Sequence, residues 1–110
     1  MRDTQQLDLQ QMRAAAAQAC ALLKVLGNPD RLMLLCQLSQ GEHAVGELES
    51  LLGIGQPTLS QQLTVLRKEQ LVGTRREGKQ IFYRIDSNEA LALMQVLYQQ
   101  FCLPSQGVTP

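Results

Sequence analysis

The 110-residue chain has no tryptophan, a single histidine, only three cysteines and no net charge. The cysteines, at positions 20, 36 and 102, are odd in number and include no C-x-x-C pair. That pattern fits neither a secreted disulfide framework nor a zinc knuckle. No apolar run approaches the roughly 18 residues a membrane span requires. The opening MRDTQQLDLQQ is polar and acidic, where a secretory signal is basic and then apolar. A cytoplasmic protein without membrane association is expected. Also missing are a Ser-His-Asp set, a phosphate-cradling glycine loop and paired carboxylates in a cleft-like context, so nothing points to an enzyme. What is present is an ordinary soluble composition, 45% hydrophobic and 18% charged. A chain of this length makes one modest core and gains from burying more surface in a dimer. One domain over residues 1–104 is expected, followed by a disordered tail over 105–110.

The zero net charge hides an uneven distribution. From Gln56 to Arg84 there are six bases, Arg67, Lys68, Arg75, Arg76, Lys79 and Arg84, against the two acids Glu69 and Glu77, a balance of +4. The remainder carries four bases and eight acids, a balance of −4. A basic segment in a neutral chain is either a solvated face or an electrostatic footprint for nucleic acid.

Periodicity supplies the elements. Leu9, Met12, Ala16, Ala19, Leu23 and Leu26 recur at steps of three and four, predicting a long first helix over 7–26 that starts near Asp3 or Thr4. Its small, alanine-rich seam suits a second helix, and its length exceeds what one side of a small domain needs, so pairing with another subunit is expected. In NPDRLMLLCQLSQG, Asn28 caps, Pro29 takes the first helical position and Asp30 favours the positive end. The second helix is read over 29–39, with Leu32, Leu35, Cys36 and Leu38 inward. A short third helix over 45–52, with Val45, Leu48, Leu51 and Leu52 as its apolar set, ends at the GIG turn. The fourth helix, over 56–70, buries Leu59, Leu63 and Leu66 and turns Pro57, Ser60, Gln61, Thr64 and Lys68 outward. The period then changes to two. Residues 71–76 and 80–85 read as a hairpin around Glu77-Gly78-Lys79, with Ile81, Tyr83 and Ile85 on the half-buried side. A fifth helix over 88–102, capped by Ser87 or Asn88 and ended by Pro104, carries Ala90, Met94, Leu97 and Phe101 on one side.

Helix, helix, helix-turn-helix, hairpin, helix is the order of a winged helix-turn-helix, mostly α with a β-hairpin wing. In that arrangement the fourth helix has the width to enter a DNA major groove, where Gln, Ser and Thr read base edges. Gln56, Thr58, Ser60, Gln61 and Thr64 are the candidate base-facing residues, with Arg67 and Lys68 beside them. Arg75, Arg76 and Lys79 on the wing are candidates for phosphate or minor-groove contact.

The stretches NPDRLMLLCQL, VGELESLLGIGQPTLSQQLTVLRKEQLV and GTRREGKQIFYRI resemble the ArsR-type transcriptional repressors, over about residues 17–102. The resemblance implies a homodimer, joined through the first and fifth helices, that binds double-stranded inverted-repeat operator DNA and leaves it when an inducer binds. One departure lies in the recognition helix. The family's usual S-Q-H-L is here Ser60-Gln61-Gln62-Leu63, which keeps hydrogen-bonding capacity and points to a different operator sequence.

Many relatives sense metals through clustered thiolates near the third helix, or through His with carboxylates on the last. Here the third helix has no Cys, the fifth has no His and its one acid, Glu89, lacks partners. His43 reads as a surface residue in the loop over 41–44. No cofactor is expected. Cys36 in C-Q-L and Cys102 in F-C-L-P resemble the pair in the family's thiol-based sensors of sulfide-derived persulfides. In that branch the two cysteines of one subunit become joined by a disulfide or a longer polysulfide, and the dimer releases its operator; reactive sulfur species are then the implied inducer. Cys20 has no counterpart and reads as a core or first-helix interface residue. The residues themselves leave other readings open, namely a trigger by peroxide or general disulfide stress, and a winged helix used for protein interaction. Which thiol attacks first is also open, since Cys102 sits where a helix dipole opposes ionisation.

Overall fold

The computed structural model describes residues 8–103. The expected helix start near Asp3 or Thr4, the stop at Pro104 and the tail over 105–110 lie outside that range. Within it, helix α1 (Leu9–Leu26) is capped by Asp8, whose carboxylate accepts from the Gln10 amide at 3.3 Å. Among its residues only Leu26 is buried by the rest of the chain. Helix α2 (Pro29–Leu38) begins as the sequence requires, with Asn28 Oδ1 accepting from the Arg31 amide at 3.0 Å and Pro29 in the first turn. Arg31 then ties three helices: Nε donates to the Val25 carbonyl at 2.7 Å, at the end of α1, and a terminal nitrogen donates to Gln62 Oε1 at 2.9 Å.

The inward stripe of α2 also takes in Leu34, which lay outside the expected set. Leu34, Leu35 and Leu38 are buried, whereas Leu32 and Cys36 are half-buried. The reason is that α2 serves two neighbours: one side enters the leucine core, and the side with Leu32 and Cys36 turns toward the last helix.

A two-residue strand, β1 (His43–Ala44), precedes helix α3 (Val45–Leu52) and was not expected. His43 is therefore not a free loop residue. It lies opposite Tyr83 in the sheet, with Nε2 3.2 Å from Gln37 Nε2 and Nδ1 3.4 Å from Glu47 Oε1. Glu47 also accepts from the Ala44 amide at 2.8 Å, which satisfies one open donor at the start of α3. On α3 only Leu48 is buried, and Leu51 of the expected apolar set is exposed.

Gly53, at φ 68°, turns the chain from α3 into helix α4 (Gln56–Lys68). This helix stops two residues before the expected end. Its last carbonyls are taken by Gln70, which donates to Arg67, and by Leu71, which donates to Leu66, both at 2.9 Å. That is a Schellman closure, and it forces Gln70 to φ 63° at a position glycine usually fills. Sequence periodicity could not locate the stop because the expected glycine is absent.

Strands β2 (Val72–Glu77) and β3 (Gln80–Ile85) form the wing, in a sheet of order β1-β3-β2. Register runs from Val72 opposite Ile85 to Glu77 opposite Gln80, so the turn is the pair Gly78-Lys79 and Glu77 belongs to the strand. Phe82, read as outward, is half-buried because the Arg75 guanidinium covers it at 4.6 Å; Ile81 is 40% exposed instead.

Helix α5 (Asn88–Leu97) is capped by Ser87, whose hydroxyl accepts from the Ala90 amide at 3.1 Å. It then widens into a π-helical turn, Tyr98–Cys102, closed by Leu103 donating to the Tyr98 carbonyl at 3.0 Å. The extra residue in that turn shifts the phase of everything beyond it. Ala90 and Met94 are buried and Leu97 half-buried, whereas Phe101 is 80% exposed. The helices and the base of the wing meet on Leu34, Leu35, Leu48, Leu59, Leu63 and Leu66, each of which contributes about 1.5–3 kcal/mol by burial.

Candidate DNA interface and thiol cleft

Two surfaces carry the residues singled out from the sequence. The first is the outer side of α4 with the wing. Burial of Leu59, Leu63 and Leu66 fixes the rotation of α4, leaving Gln56, Ser60, Gln61, Thr64, Arg67 and Lys68 exposed and Thr58 half-buried. The exposed side chains are pre-arranged by a short chain of bonds: Gln56 donates to Glu49 at 3.1 Å, Ser60 to Gln56 Oε1 at 3.2 Å, and Thr64 to the Ser60 carbonyl at 2.8 Å. Ser60 and Gln61 thus project from the middle of an exposed helix face.

Gln62 does not belong to that face. It is half-buried, and its side-chain Oε1 accepts from Arg31. The departure from S-Q-H-L therefore sits at a helix-to-helix tie. Arg31 was not singled out, although its side chain fixes α4 against α2.

The wing bases divide into two kinds. Arg75 donates from Nε to both Glu42 oxygens at 2.9 and 3.0 Å and from a terminal nitrogen to Glu77 at 2.9 Å. Hydrogen bonding to Arg75, then its charge, holds the Glu42 carboxyl below the usual carboxylate range, and the same bonds raise the Arg75 guanidinium. Arg76 and Lys79 are exposed and, among the described residues, in no ion pair. Arg84 lies 3.7 Å from Asp86. Among the described residues, the uncommitted positive charge of the segment is therefore on Arg67, Lys68, Arg76 and Lys79. Glu42, a neutralising partner from outside the basic segment, could not be paired with Arg75 by local spacing.

The second surface is a cleft of about 380 Å³ between α2 and the end of α5. Leu32, Met33 and Cys36 form one wall; Met94, Leu97, Phe101 and Cys102 form the other. The structure thus brings together two cysteines 66 positions apart in the chain. Both are free thiols, Cys36 half-buried and Cys102 exposed. Burial pushes the Cys36 thiol up from its ordinary value, and the nearby Cys102 sulfur, by charge and by direct contact, pushes it further. Cys20 is exposed on α1, so of its two expected places the core is excluded for this chain. No helix among the described residues is long and apolar enough to cross a membrane. Among those residues no three His, Cys, Asp or Glu side chains are grouped as a metal site.

Residues 28–74 match the family described as "Bacterial regulatory protein, arsR family". The chain is 51% identical over 106 residues to the Biofilm growth-associated repressor of Agrobacterium fabrum, covering 96% of this chain and 91% of that protein. It is 41% identical over 100 residues to the Transcriptional activator HlyU of Vibrio cholerae, covering 91% and 93%. The crystal structure of the transcriptional repressor BigR from Xylella fastidiosa superposes with a TM-score of 0.80 at 52% identity, covering 88% of this chain and 99% of that one.

Proposed function

This chain belongs to the arsR family of bacterial regulatory proteins, DNA-binding transcriptional regulators rather than enzymes, and we propose that it is a homodimeric repressor which releases its operator when reactive sulfur joins Cys36 to Cys102. The single observation that carries the reading is that both sulfurs line one cleft spanning α2 and the end of α5. Those elements flank the two parts the switch must couple. Helix α2 is bonded to α4 through Arg31 and Gln62, and α5 faces α1 across a groove of mixed lining, with Ala19, Leu22 and Leu93 beside Gln18 and Glu89.

The dimer reading rests on apolar side chains left uncovered in one copy: Leu9, Met12 and Leu23 on α1, and Val96 and Phe101 at α5, are between 48% and 80% exposed. Covering such a patch with a symmetric partner is the usual solution for a small domain. Two α4 helices then approach successive major grooves about 34 Å apart, which matches an inverted repeat. Ser60, Gln61 and Thr64 reach base edges, while Arg67, Lys68, Arg76 and Lys79 meet phosphates.

The chemistry balances with an organic persulfide, RSSH, as oxidant. Exposed Cys102 attacks the outer, sulfane sulfur as its thiolate; RSH leaves, and Cys102 becomes a persulfide. The Cys36 thiolate, its proton lost to solvent, then attacks the Cys102 sulfur and expels hydrosulfide. The sum converts two thiols and one RSSH into a disulfide, RSH and hydrogen sulfide, and each further bridging sulfur consumes one more RSSH. Cys102 goes first because it is the exposed thiol, whereas Cys36 is half-buried and its thiol is raised by burial. Weakening operator binding a hundredfold takes about 2.8 kcal/mol of coupling, within the reach of one bridge that shifts α5 against α2.

Operator titration of wild type, Cys36→Ser and Cys102→Ser tests the reading, before and after persulfide, with intact mass measured on each. Parallel samples with a small disulfide and with peroxide identify the oxidant. Wild type alone is expected to release, and only after persulfide. A serine variant that releases like wild type refutes the dithiol mechanism, and equal release by peroxide refutes the assignment to reactive sulfur.

A further inference from the structure

The cleft holds more sulfur than the two thiols. Met33 stands three residues before Cys36 on the same side of α2, and Met94 projects from α5 into the wall opposite. Two thiols and two thioethers thus surround one opening, with only Leu32, Leu97 and Phe101 completing its lining. No carboxylate, imidazole, ammonium or guanidinium group is among these lining residues. Cores commonly use methionine as filler, and Met94, which is fully buried, fits that use; Met33 is 41% exposed and gains little by filling.

Donor chemistry decides what such a cleft can hold. Zinc accepts thiolates but takes four strong ligands, and this lining offers two; nickel and cobalt suit imidazole-containing sets, and magnesium and calcium need oxygen. An all-sulfur, otherwise apolar set suits a soft ion that accepts two or three sulfur ligands without water, which is the preference of copper(I) and its analogue silver(I). We propose that the α2–α5 cleft binds one copper(I)-class ion per protomer through Cys36 and Cys102, with Met33 or Met94 as a supporting thioether. Each thiol passes its proton to solvent and becomes a thiolate. The metal keeps its oxidation state, and the complex carries one negative charge, which exposed Cys102 places next to water. The site stands independently of sulfur sensing, because binding needs neither a bridge nor DNA.

The test uses the full chain, reduced and without DNA, titrated anaerobically with copper(I) against a competing chelator of known affinity. One ion per protomer is expected. Affinity is expected to fall at least about a hundredfold in Cys36→Ser and in Cys102→Ser, the loss of one of two strong ligands. It is expected to fall about tenfold in Met33→Leu with Met94→Leu, swaps that preserve volume. Below the thiol pKa values, loss of two protons makes the affinity climb about a hundredfold per pH unit. Silver(I) is expected to shield Cys36 and Cys102, but not Cys20, from alkylation. Binding in either serine variant equal to wild type, alkylation shielding at Cys20 alone, or affinity independent of pH overturns the site. Unchanged affinity in the double leucine variant removes the thioethers from it and overturns the proposal as stated. None of these readouts depends on operator release, so failure here leaves the repressor reading untouched, and the converse also holds.

Discussion

Helix α4 and the α2–α5 cleft rest on one leucine core, yet they present opposite surfaces. The face of α4 is polar, exposed and pre-arranged by bonds among Glu49, Gln56, Ser60 and Thr64. The cleft is apolar, half-open and populated by sulfur. In the proposed function the first exchanges water for base edges and phosphates, and the second holds one half-buried and one exposed thiol side by side. Between them runs α2, with Cys36 on one side and Arg31 bonded to Gln62 of α4 on another. If the proposed function holds, sensing and reading occupy separate surfaces, so substitutions on one face are expected to spare the other, and only core changes should damage both.

The strongest way to break that separation is through the shared core. Leu63, 2% exposed, lies on the buried side of α4, and Leu63→Ala is expected to destabilise the fold by about 2–5 kcal/mol. Thermal denaturation reads the loss, and DNA binding and thiol protection should fall together; one surviving without the other would show that the two surfaces do not share a cooperative unit. Next in size is Gln61→Ala. Loss of a base-edge contact is expected to weaken operator binding by about 1–3 kcal/mol, as read by fluorescence anisotropy, while the rate of Cys36–Cys102 bridging stays at the wild-type value.

The wing sharpens the comparison further. Arg76→Ala is expected to lower the salt dependence of operator affinity by about 0.9 per lost phosphate contact. Arg75→Ala should change it less, because Glu42 and Glu77 already neutralise that guanidinium. Equal effects from the two substitutions would mean that Arg75 leaves its partners on DNA. A smaller effect is expected at Gln70, held at φ 63°. Gln70→Gly should relieve strain of about 1 kcal/mol, less the entropy a glycine adds to the unfolded chain, and raise the melting temperature without altering either surface.

The cleft also has a pH signature. Because burial and Cys102 raise the Cys36 thiol, the folded state holds that proton more tightly than the unfolded one. The associated stability is fully present below the ordinary thiol value of about 8.5 and is lost as pH rises through the raised value. Chemical denaturation across that window should show the decline in wild type and a flatter profile in Cys36→Ser. At neutral pH, alkylation of Cys36 should run slower than that of a free thiol and quicken about tenfold per pH unit.

Sequence patterning went far because the helices obey it. Asn28-Pro29 fixed the start of α2, Leu59, Leu63 and Leu66 fixed the rotation of α4, and the period change at the wing fixed β2 and β3. What escaped depends on contacts remote in the chain. The strand at His43 exists because Tyr83 and Phe82 lie opposite it. The π-helical turn that exposes Phe101 leaves no mark in hydrophobic spacing, and Gln70 closes α4 without the glycine that would have announced it. At the sites the split is similar: exposure of Ser60, Gln61 and Thr64 followed from helix phase, whereas the pairing of Arg75 with Glu42 and the tie between Arg31 and Gln62 needed the fold. Cys36 and Cys102 were coupled by family resemblance alone, since nothing in their local sequence links them.

In the proposed switch, closing one sulfur bridge is what loosens the grip on DNA. A single time course decides it: operator-bound protein is treated with an organic persulfide, and anisotropy and linked-peptide mass are read on the same aliquots. Release and the Cys36–Cys102 linked peptide are expected to rise at one common rate, reaching one bridge per protomer. Release that is complete before that peptide forms, or that tracks a linkage through Cys20 instead, would contradict it.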